Sequence, residues 1–570
     1  VKSREEDNLL QSNQPPGYWL WRAFKERLLS RETAVAALFT LGLLLFESLA
    51  LTIPYGKYAL NFERGDYLIA LTAFSVITAS LVLAALFFRA SFTSKRSVRI
   101  AYFALFAFAI FFEYGYQNAF SRFSTIEDLR IALSDATYGQ WQDSIRMYAN
   151  WLALIPCVFY AALLVILRHR RSSSWKTLGI VLLVILGFYS VLAPYISGTF
   201  ATISLNAFFR STTALPWKWH APYQGPRETL KTHSDAHPQN NLVFVVDESV
   251  RGDHLSINGH ARHTTPYLEE LLAQGRLLTW GVSSSGATCS ASSNNLLLTG
   301  MKLSELPDLD YQIRKRPSIF QYAKAMGYRT HYLDGQRQTF WLGTSYDPQY
   351  IDDWLPVSYF AGREPYDLDA LLARKIVEIT DGSTGNFIWV NKRGIHPPYS
   401  DDYPDSKAEW QPALTNSELR MDLNKRTEWI NSYDNAIKYN LETFIRILDS
   451  SRQRSQTFIV YTSDHGQTLG EHGERYTHCG QSPITTQPTE ANVPLFLIAP
   501  VPILLDTQYR ASHANIFATL LDLMNFPKSE RRYLYAPSLL DAKRTDSQPR
   551  YFYVGGLDQR VFSGPVLFDR

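Results

Sequence analysis

The stretch NLVFVVDESVRGDHLSINGH, from Asn241 to His260, decides how the chain is read. Residues 242–246 form an unbroken apolar run, the pattern of a strand covered on both faces, and the run stops abruptly at Asp247 and Glu248. In open α/β sheets, ligands gather beyond the carboxyl ends of strands, where loops present side chains that the sheet holds rigid. A second stretch, TFIVYT at residues 457–462, is equally apolar and runs straight into Ser463, Asp464, His465 and Gly466. Two buried strands ending in a Glu and in an Asp-His pair predict one metal site at a shared sheet edge. The plainer reading is two unrelated strands with solvated acidic ends.

Working outward, short apolar segments at 329–333, 386–390 and 493–498 alternate with helical patterns at 318–326, 428–448 and 514–524. This alternation predicts a largely parallel central sheet covered by helices, in a domain that begins near Asn240. Upstream the character changes. The 570 residues carry a net charge of only +3, with Lys and Arg scattered, so there is no basic face for a nucleic acid. Mean hydropathy is slightly negative although the first third is rich in apolar runs, so a polar domain is joined to a membrane domain.

Five runs, 33–53, 67–88, 98–116, 150–167 and 177–196, approach the roughly 20 residues that cross a bilayer. A cleaved signal peptide accounts for one at most. Arg22, Lys25, Arg27 and Arg31 precede the first run; Arg89, Lys95, Arg96 and Arg99 lie between the second and third; Arg168, Arg170, Arg171 and Lys176 lie between the fourth and fifth. Positive loops stay cytoplasmic, which places the N-terminus inside and everything after Ile196 outside. The expected organisation is a cytoplasmic tail and five-span transmembrane domain over 1–200, an interfacial segment and linker over 201–239, and an extracytoplasmic catalytic domain over 240–570. Trp217, Trp219, Tyr223 and three prolines mark the linker.

Within the membrane half, Glu47 and Glu113 fall inside runs, and Asn118 and Glu127 follow in an outside loop. Intramembrane acids are costly and often functional, so Glu113, Asn118 and Glu127 are candidates to meet a lipid head group; for Glu113 an interfacial position is the alternative. Of three cysteines, Cys157 falls in the fourth run, while Cys289 and Cys479 each neighbour a candidate site residue and either pair or stand as small unpaired residues. The cluster SSSGATCSASSNNLLLTG, from Ser283 to Gly300, reads as a helix cap or as a nucleophile at a helix N-terminus, where amides receive phosphate oxygens.

Taken together, VFVVDESVRGDHLSINGHARHTTP, the small-residue cluster ending in LLLTG, GIHPPY at 394–399, SYDNAIKY at 432–439 and SDHGQTLGEHGERYTH at 463–478 resemble the membrane-bound phosphoethanolamine transferases, in the order found there. These belong to the alkaline phosphatase and sulfatase superfamily. The resemblance implies five N-terminal spans and an alkaline phosphatase-like domain in the periplasm of a bacterial inner-membrane protein acting as a monomer. It implies one zinc ion held by Glu248, the nucleophile, Asp464 and His465, with His396 and His478 near the phosphate, where a second zinc could join. The family's C-G-T-x-T-A-x-S string and its usual disulfides are missing here. Matching its A-x-S, or the sulfatase pattern C-x-P-S-R-x-x-L-L-T-G, places the nucleophile at Ser290; counting from the start of the motif selects Thr288 or Cys289.

The activity so implied is transfer of phosphoethanolamine from phosphatidylethanolamine to an envelope acceptor such as lipid A, a lipopolysaccharide core or another glycan. A glycerophosphotransferase using phosphatidylglycerol would need the same residues. A cysteine-type sulfatase wants Arg four residues after its nucleophile, whereas Asn294 follows Ser290 and Ser293 follows Cys289 at that spacing. A phosphodiesterase-type hydrolase and an inactive membrane scaffold are the further alternatives, the last opposed by the intact Glu248, Asp464, His465, His396 and His478.

Overall fold

The computed structural model describes residues 30–51, 67–120, 123–124, 149–167, 174–192, 203–213, 223, 225–234, 237–338, 347–360, 364–415, 421–471, 473, 477–480, 483, 486–531, 533–558 and 563–569. Its contacts divide the chain into two compact units. The first comprises Val1–Leu129, Tyr148–Ala193 and Gly198–Leu215; the second holds the remainder.

In the first unit lie helices α1 (Arg31–Ala50), α2 (Tyr67–Ser91), α3 (Arg96–Phe120), α4 (Leu154–Ile166), α5 (Trp175–Leu192) and α6 (Ser204–Thr213). Ser30 caps α1 by accepting the Thr33 N–H. Phe39, Phe88, Phe106 and Tyr160 interlock at the centre, with ring centroids 4.7 to 6.1 Å apart. Leu38, Leu49, Phe74 and Leu183 point outward and are exposed. A helix surface apolar on its outer side suits lipid. Among the described residues, three helices are long and apolar enough to cross a membrane, Arg31–Ala50, Phe74–Ser91 and Arg96–Gln117; Trp151–Ile166 and Trp175–Val191 are apolar but shorter. Helix α6 falls where the sequence shows no clear period. Its buried Leu205, Phe208 and Phe209 stand at helical spacing, but ten residues are too few for the pattern to stand out.

The second unit is built on a seven-stranded sheet ordered β2-β7-β6-β1-β5-β3-β4. The strands are β1 (Asn241–Asp247), β2 (Leu277–Ser284), β3 (Arg329–Asp334), β4 (Asp353–Leu355), β5 (Asn386–Asn391), β6 (Thr457–Ser463) and β7 (Asn492–Ile498). Pairs β1–β6, β1–β5, β3–β5 and β3–β4 are parallel, and β7 runs antiparallel to β6 and β2. Along β1, Val243 and Val245 join one core with α10 (Leu368–Gly382) and α11 (Arg426–Asp449). Its Leu242, Phe244 and Val246 join the other core with α9 (Ile319–Ala325) and α12 (His513–Leu523). Cover on both faces is why the run carries no polar alternation. Two further helices are α7 (Pro266–Ala273) and α8 (Ser290–Thr299), and β8 (Tyr551–Val554) pairs with β9 (Gly564–Leu567). The mostly parallel sheet between helices is the alkaline phosphatase-like architecture expected from the sequence.

Register delivers the acids. Asp247 lies opposite Ser463, so Glu248 and Asp464 leave adjacent strands at one level of the carboxyl edge.

Candidate metal and nucleophile site

Asp247 anchors the turn rather than entering the site. Its Oδ1 accepts the Glu248 N–H at 2.9 Å, and its Oδ2 accepts from Lys392 Nζ and Tyr461 OH, both at 2.5 Å. The loop after β5 closes against this turn: the Ile395 N–H donates to the Glu248 carbonyl at 3.0 Å. Gly394 sits at φ +62, where a Cβ would meet Asp247 Oδ1 at 2.4 Å, so only glycine allows this approach.

The buried Glu248 then faces three candidate residues. Its Oε2 accepts the Ser290 hydroxyl at 3.3 Å, and its Oε1 lies 3.3 Å from His465 Nε2. Ser290 Oγ is also 3.2 Å from His465 Nε2. His465 Nδ1 donates to the Gly466 carbonyl at 2.7 Å, which in the neutral ring leaves the lone pair on Nε2, aimed at the acids. Asp464 Oδ1 accepts the Ser249 and His465 N–H groups at 3.1 and 2.7 Å. Its Oδ2, 3.4 Å from His465 Nε2, is buried with no hydrogen-bond partner among the described residues. An orphaned carboxylate oxygen beside a second carboxylate and an imidazole lone pair is a donor set fit for a dication, and zinc suits this oxygen and nitrogen mixture.

The electrostatics agree with that fit. Burial, then the charge of Glu248, pushes Asp464 up to about 7. Burial alone would lower His465, but Asp464 and Glu248 outweigh it and raise the imidazole to about 9. Two acids in a dry site thus draw whatever positive charge is at hand.

His478 joins the set. Its ring stacks on His465 at 4.4 Å, and Glu248, His465 and His478 each offer a ligand atom within 4.8 Å of the others. His396 stands 6.3 Å from His478, ring to ring, with Nδ1 donating to the Pro397 carbonyl at 2.7 Å. Burial lowers its pKa, against the pull of Glu248. Cys289 and Cys479, left open by the sequence, are joined in a disulfide, so neither is a free thiol. Thr288 is buried, its carbonyl accepting the Cys479 N–H at 3.0 Å. Ser290 is the first residue of α8, and the N-cap Cys289 makes no side-chain capping bond.

Several supporting residues escaped the sequence reading. Gln336 Nε2 donates to Glu248 Oε2 at 3.1 Å and to the Lys392 carbonyl at 2.6 Å. It follows β3, so the logic of acids after β1 and β6 would have pointed to it. Buried His513 takes the Gly286 N–H on Nδ1 at 3.1 Å, contacts Ser293 at 3.2 Å and lies 3.0 Å from Thr462 Oγ1, linking α8 and the loop before it to β6. Burial pushes it down to about 3.

A second group, His254, His260 and Asp434, also clusters within 4.8 Å. Here Asp434 is saturated: Oδ1 contacts His254 Nδ1 at 2.6 Å, while Oδ2 takes His260 at 3.3 Å and Arg262 at 2.8 Å. With a guanidinium already on the carboxylate, this group reads as a pin between the loop after β1 and α11.

In the membrane unit, Glu113 Oε1 accepts the Ser124 hydroxyl at 2.6 Å and Oε2 accepts the Ser124 N–H at 2.8 Å. Glu127 and the Asn118 side chain lie outside the described residues.

With this geometry established, comparison with known proteins gives the class. The sulfatase family model matches residues 240–526, half of the chain, and the chain belongs to that family. Its relatives there include phosphoethanolamine transferases of the alkaline phosphatase and sulfatase superfamily. It is 26% identical over 257 residues to the Kdo(2)-lipid A phosphoethanolamine 7''-transferase of Escherichia coli (strain K12), covering 44% of this chain and 41% of that protein. It is 28% identical over 276 residues to phosphoethanolamine transferase EptA of Helicobacter pylori (strain ATCC 700392 / 26695), covering 47% and 48%. The match thus spans less than half the length of these relatives. The solved integral membrane protein lipooligosaccharide phosphoethanolamine transferase A of Neisseria meningitidis shares the fold, with a TM-score of 0.56 at 18% identity over 86% of this chain and 95% of that one.

Proposed function

We propose that this chain transfers phosphoethanolamine from phosphatidylethanolamine to an envelope glycolipid or glycan through a covalent phosphoseryl enzyme. The observation that carries the reading is the Ser290 hydroxyl, placed within 3.3 Å of both Glu248 and His465 at the N-terminus of α8. Zinc held by Glu248, Asp464 and His465, with His478 beside them, would supply a Lewis acid that lowers the pKa of the Ser290 hydroxyl and takes up charge on phosphoryl oxygens.

The chain's own groups do the rest. Ser290 Oγ forms a bond to phosphorus as the bond to the diacylglycerol oxygen breaks, and the first-turn amides of α8 face the charged oxygens. His396 or His478 gives a proton to the departing alkoxide and later takes one from the acceptor. Acceptor attack on phosphorus then frees Ser290. Gln336, and Ser249 through its hydroxyl on Glu248 Oε1 at 2.8 Å, hold Glu248 through both steps.

The envelope setting is part of the proposal. Five spans, with α4 and α5 as the last two, a cytoplasmic N-terminus and a periplasmic catalytic domain over 240–570 would confine the enzyme to the leaflet that carries its lipid donor. Glu113 is the head-group candidate from α3, and lipid A is the acceptor that the Escherichia coli relative's name suggests.

Detergent-solubilised protein given head-group-labelled phosphatidylethanolamine without acceptor should carry the phosphoryl adduct on Ser290, and Ser290→Ala should lose both adduct and turnover. An adduct on Thr288 would move the nucleophile. Labelling from phosphatidylglycerol instead would make the donor group glycerophosphate.

A further inference from the structure

Cys289 and Cys479 stand 190 residues apart in the chain and are bonded, with Cα atoms 4.8 Å apart. Each adjoins a site residue. Cys289 precedes Ser290 and is the N-cap of α8, whereas Cys479 follows His478. At the bond the two segments also meet backbone to backbone, through the Cys479 N–H on the Thr288 carbonyl at 3.0 Å. Cys479 itself sits at φ +61, a costly conformation for a residue with a Cβ, kept where the surroundings fix it. One residue away, the His478 ring lies stacked on His465.

We propose that the Cys289–Cys479 disulfide is a positioning bond for His478: it holds that imidazole against His465 and beside Ser290, so metal affinity depends on the oxidised state of this pair. The inference rests on the reading of Ser290 and the Glu248, His465 and His478 group given above. Neighbouring ties fix the segment's backbone on either side, from the Thr468 N–H to the Thr477 carbonyl at 2.6 Å and from the Gly480 N–H to Glu490 Oε2 at 2.7 Å. Neither reaches across to the nucleophile's segment; the disulfide does. Both cysteines are only half-buried, open to a small dithiol. Reduction by a dithiol passes two electrons and two protons to the pair, giving two thiols while the dithiol closes to its own disulfide.

The test uses full-length, detergent-solubilised protein and needs no phospholipid. Zinc affinity is read by competition with a chromophoric chelator, and coordination by the visible spectrum of bound Co2+. Cys289→Ser with Cys479→Ser, and separately His478→Ala, should each weaken zinc about tenfold or more and change the Co2+ spectrum alike. The triple variant should bind no more weakly than His478→Ala alone, because the disulfide acts through that ring. Wild-type protein reduced with dithiothreitol and alkylated should match the double variant, which covers the case of a variant that does not fold. Unchanged zinc affinity without the disulfide, or losses that multiply in the triple variant, would overturn the proposal. Failure of the transferase reading shows elsewhere, as absence of a Ser290 adduct with zinc behaviour intact.

Discussion

Glu47 in the membrane unit and Glu248 in the catalytic unit are both buried glutamates, and they differ in what their neighbours supply. Around Glu47, donors are plentiful: Oε1 accepts from Tyr114 OH at 3.3 Å and from the Ser204 hydroxyl, and Oε2 accepts the Ser204 N–H at 3.0 Å. At the sheet edge Glu248 also has donors, in the Ser249 and Ser290 hydroxyls and Gln336 Nε2, but it shares its surroundings with a second acid, Asp464, whose Oδ2 has no hydrogen-bond partner among the described residues. Burial and residue type are therefore shared by both regions. The donor balance separates a carboxyl group that holds a fold together from one that calls for a cation.

The largest expected effect tests that separation directly. His465→Ala should lower zinc content to a small fraction of wild type and cut transfer at least about a thousandfold, the scale on which a preorganised electrostatic group acts. His254→Ala, in the saturated cluster, should leave zinc stoichiometry unchanged. Metal analysis of the purified variants decides it, and zinc loss from the His254 variant would show that saturation is the wrong criterion.

Next in size is Glu47→Ala. Removing this carboxyl strands the Ser204 N–H and hydroxyl and the Tyr114 hydroxyl in an apolar interior, a cost of about 2–3 kcal/mol to the membrane unit. Thermal unfolding in detergent should show a lower transition for that unit, with zinc content of the catalytic unit unaltered. An unshifted transition would mean that water replaces the lost acceptor, and the bundle would then be wetter than its packing implies.

How much of this was legible follows the same physical line. The strands were readable because full burial leaves an unbroken apolar run: TFIVYT at 457–462 became Thr457–Ser463, and the acids at its end fell where strand-end logic placed them. The cluster at 283–300 was singled out by resemblance, and there Ser290 rather than Thr288 stands against Glu248 and His465. Contacts made across long sequence separations were not readable. Lys392 reaches Asp247 from 145 residues away and His513 reaches Gly286 from 227; no local period records such pairings, and the disulfide across 190 residues was one of two readings left open. Helix α6 was missed for another reason. Its donors to Glu47 and its link to Ser124, through Arg210 at 2.8 Å, belong to a short segment whose polar and apolar residues alternate too briefly to show a face.

The smallest effect concerns Asp434, which lies in the catalytic unit but is saturated like Glu47, so it should behave as a stabilising group and not as a ligand. Burial would raise its pKa, but His254 and His260 outweigh burial and lower it from 3.8 to about 2. A carboxyl group held low in the folded state contributes stability that is present above its unfolded pKa and is lost as pH falls through the folded value. The contribution should therefore be complete above about pH 4 and disappear towards pH 2, amounting to about 2 kcal/mol. Asp434→Asn forfeits it at neutral pH, where the variant should unfold more readily than wild type, and the gap should close as the pH drops from 4 to 2. Both proteins are compared with zinc removed by a chelator, so that acid release of the metal from Glu248, Asp464 and His465 does not mask the difference. A gap independent of pH would place the Asp434 contribution in packing rather than in charge. A gap that is absent without zinc and appears at neutral pH once zinc is added back would make the His254, His260 and Asp434 group a metal site after all, and donor saturation would no longer tell the two kinds of buried acid apart.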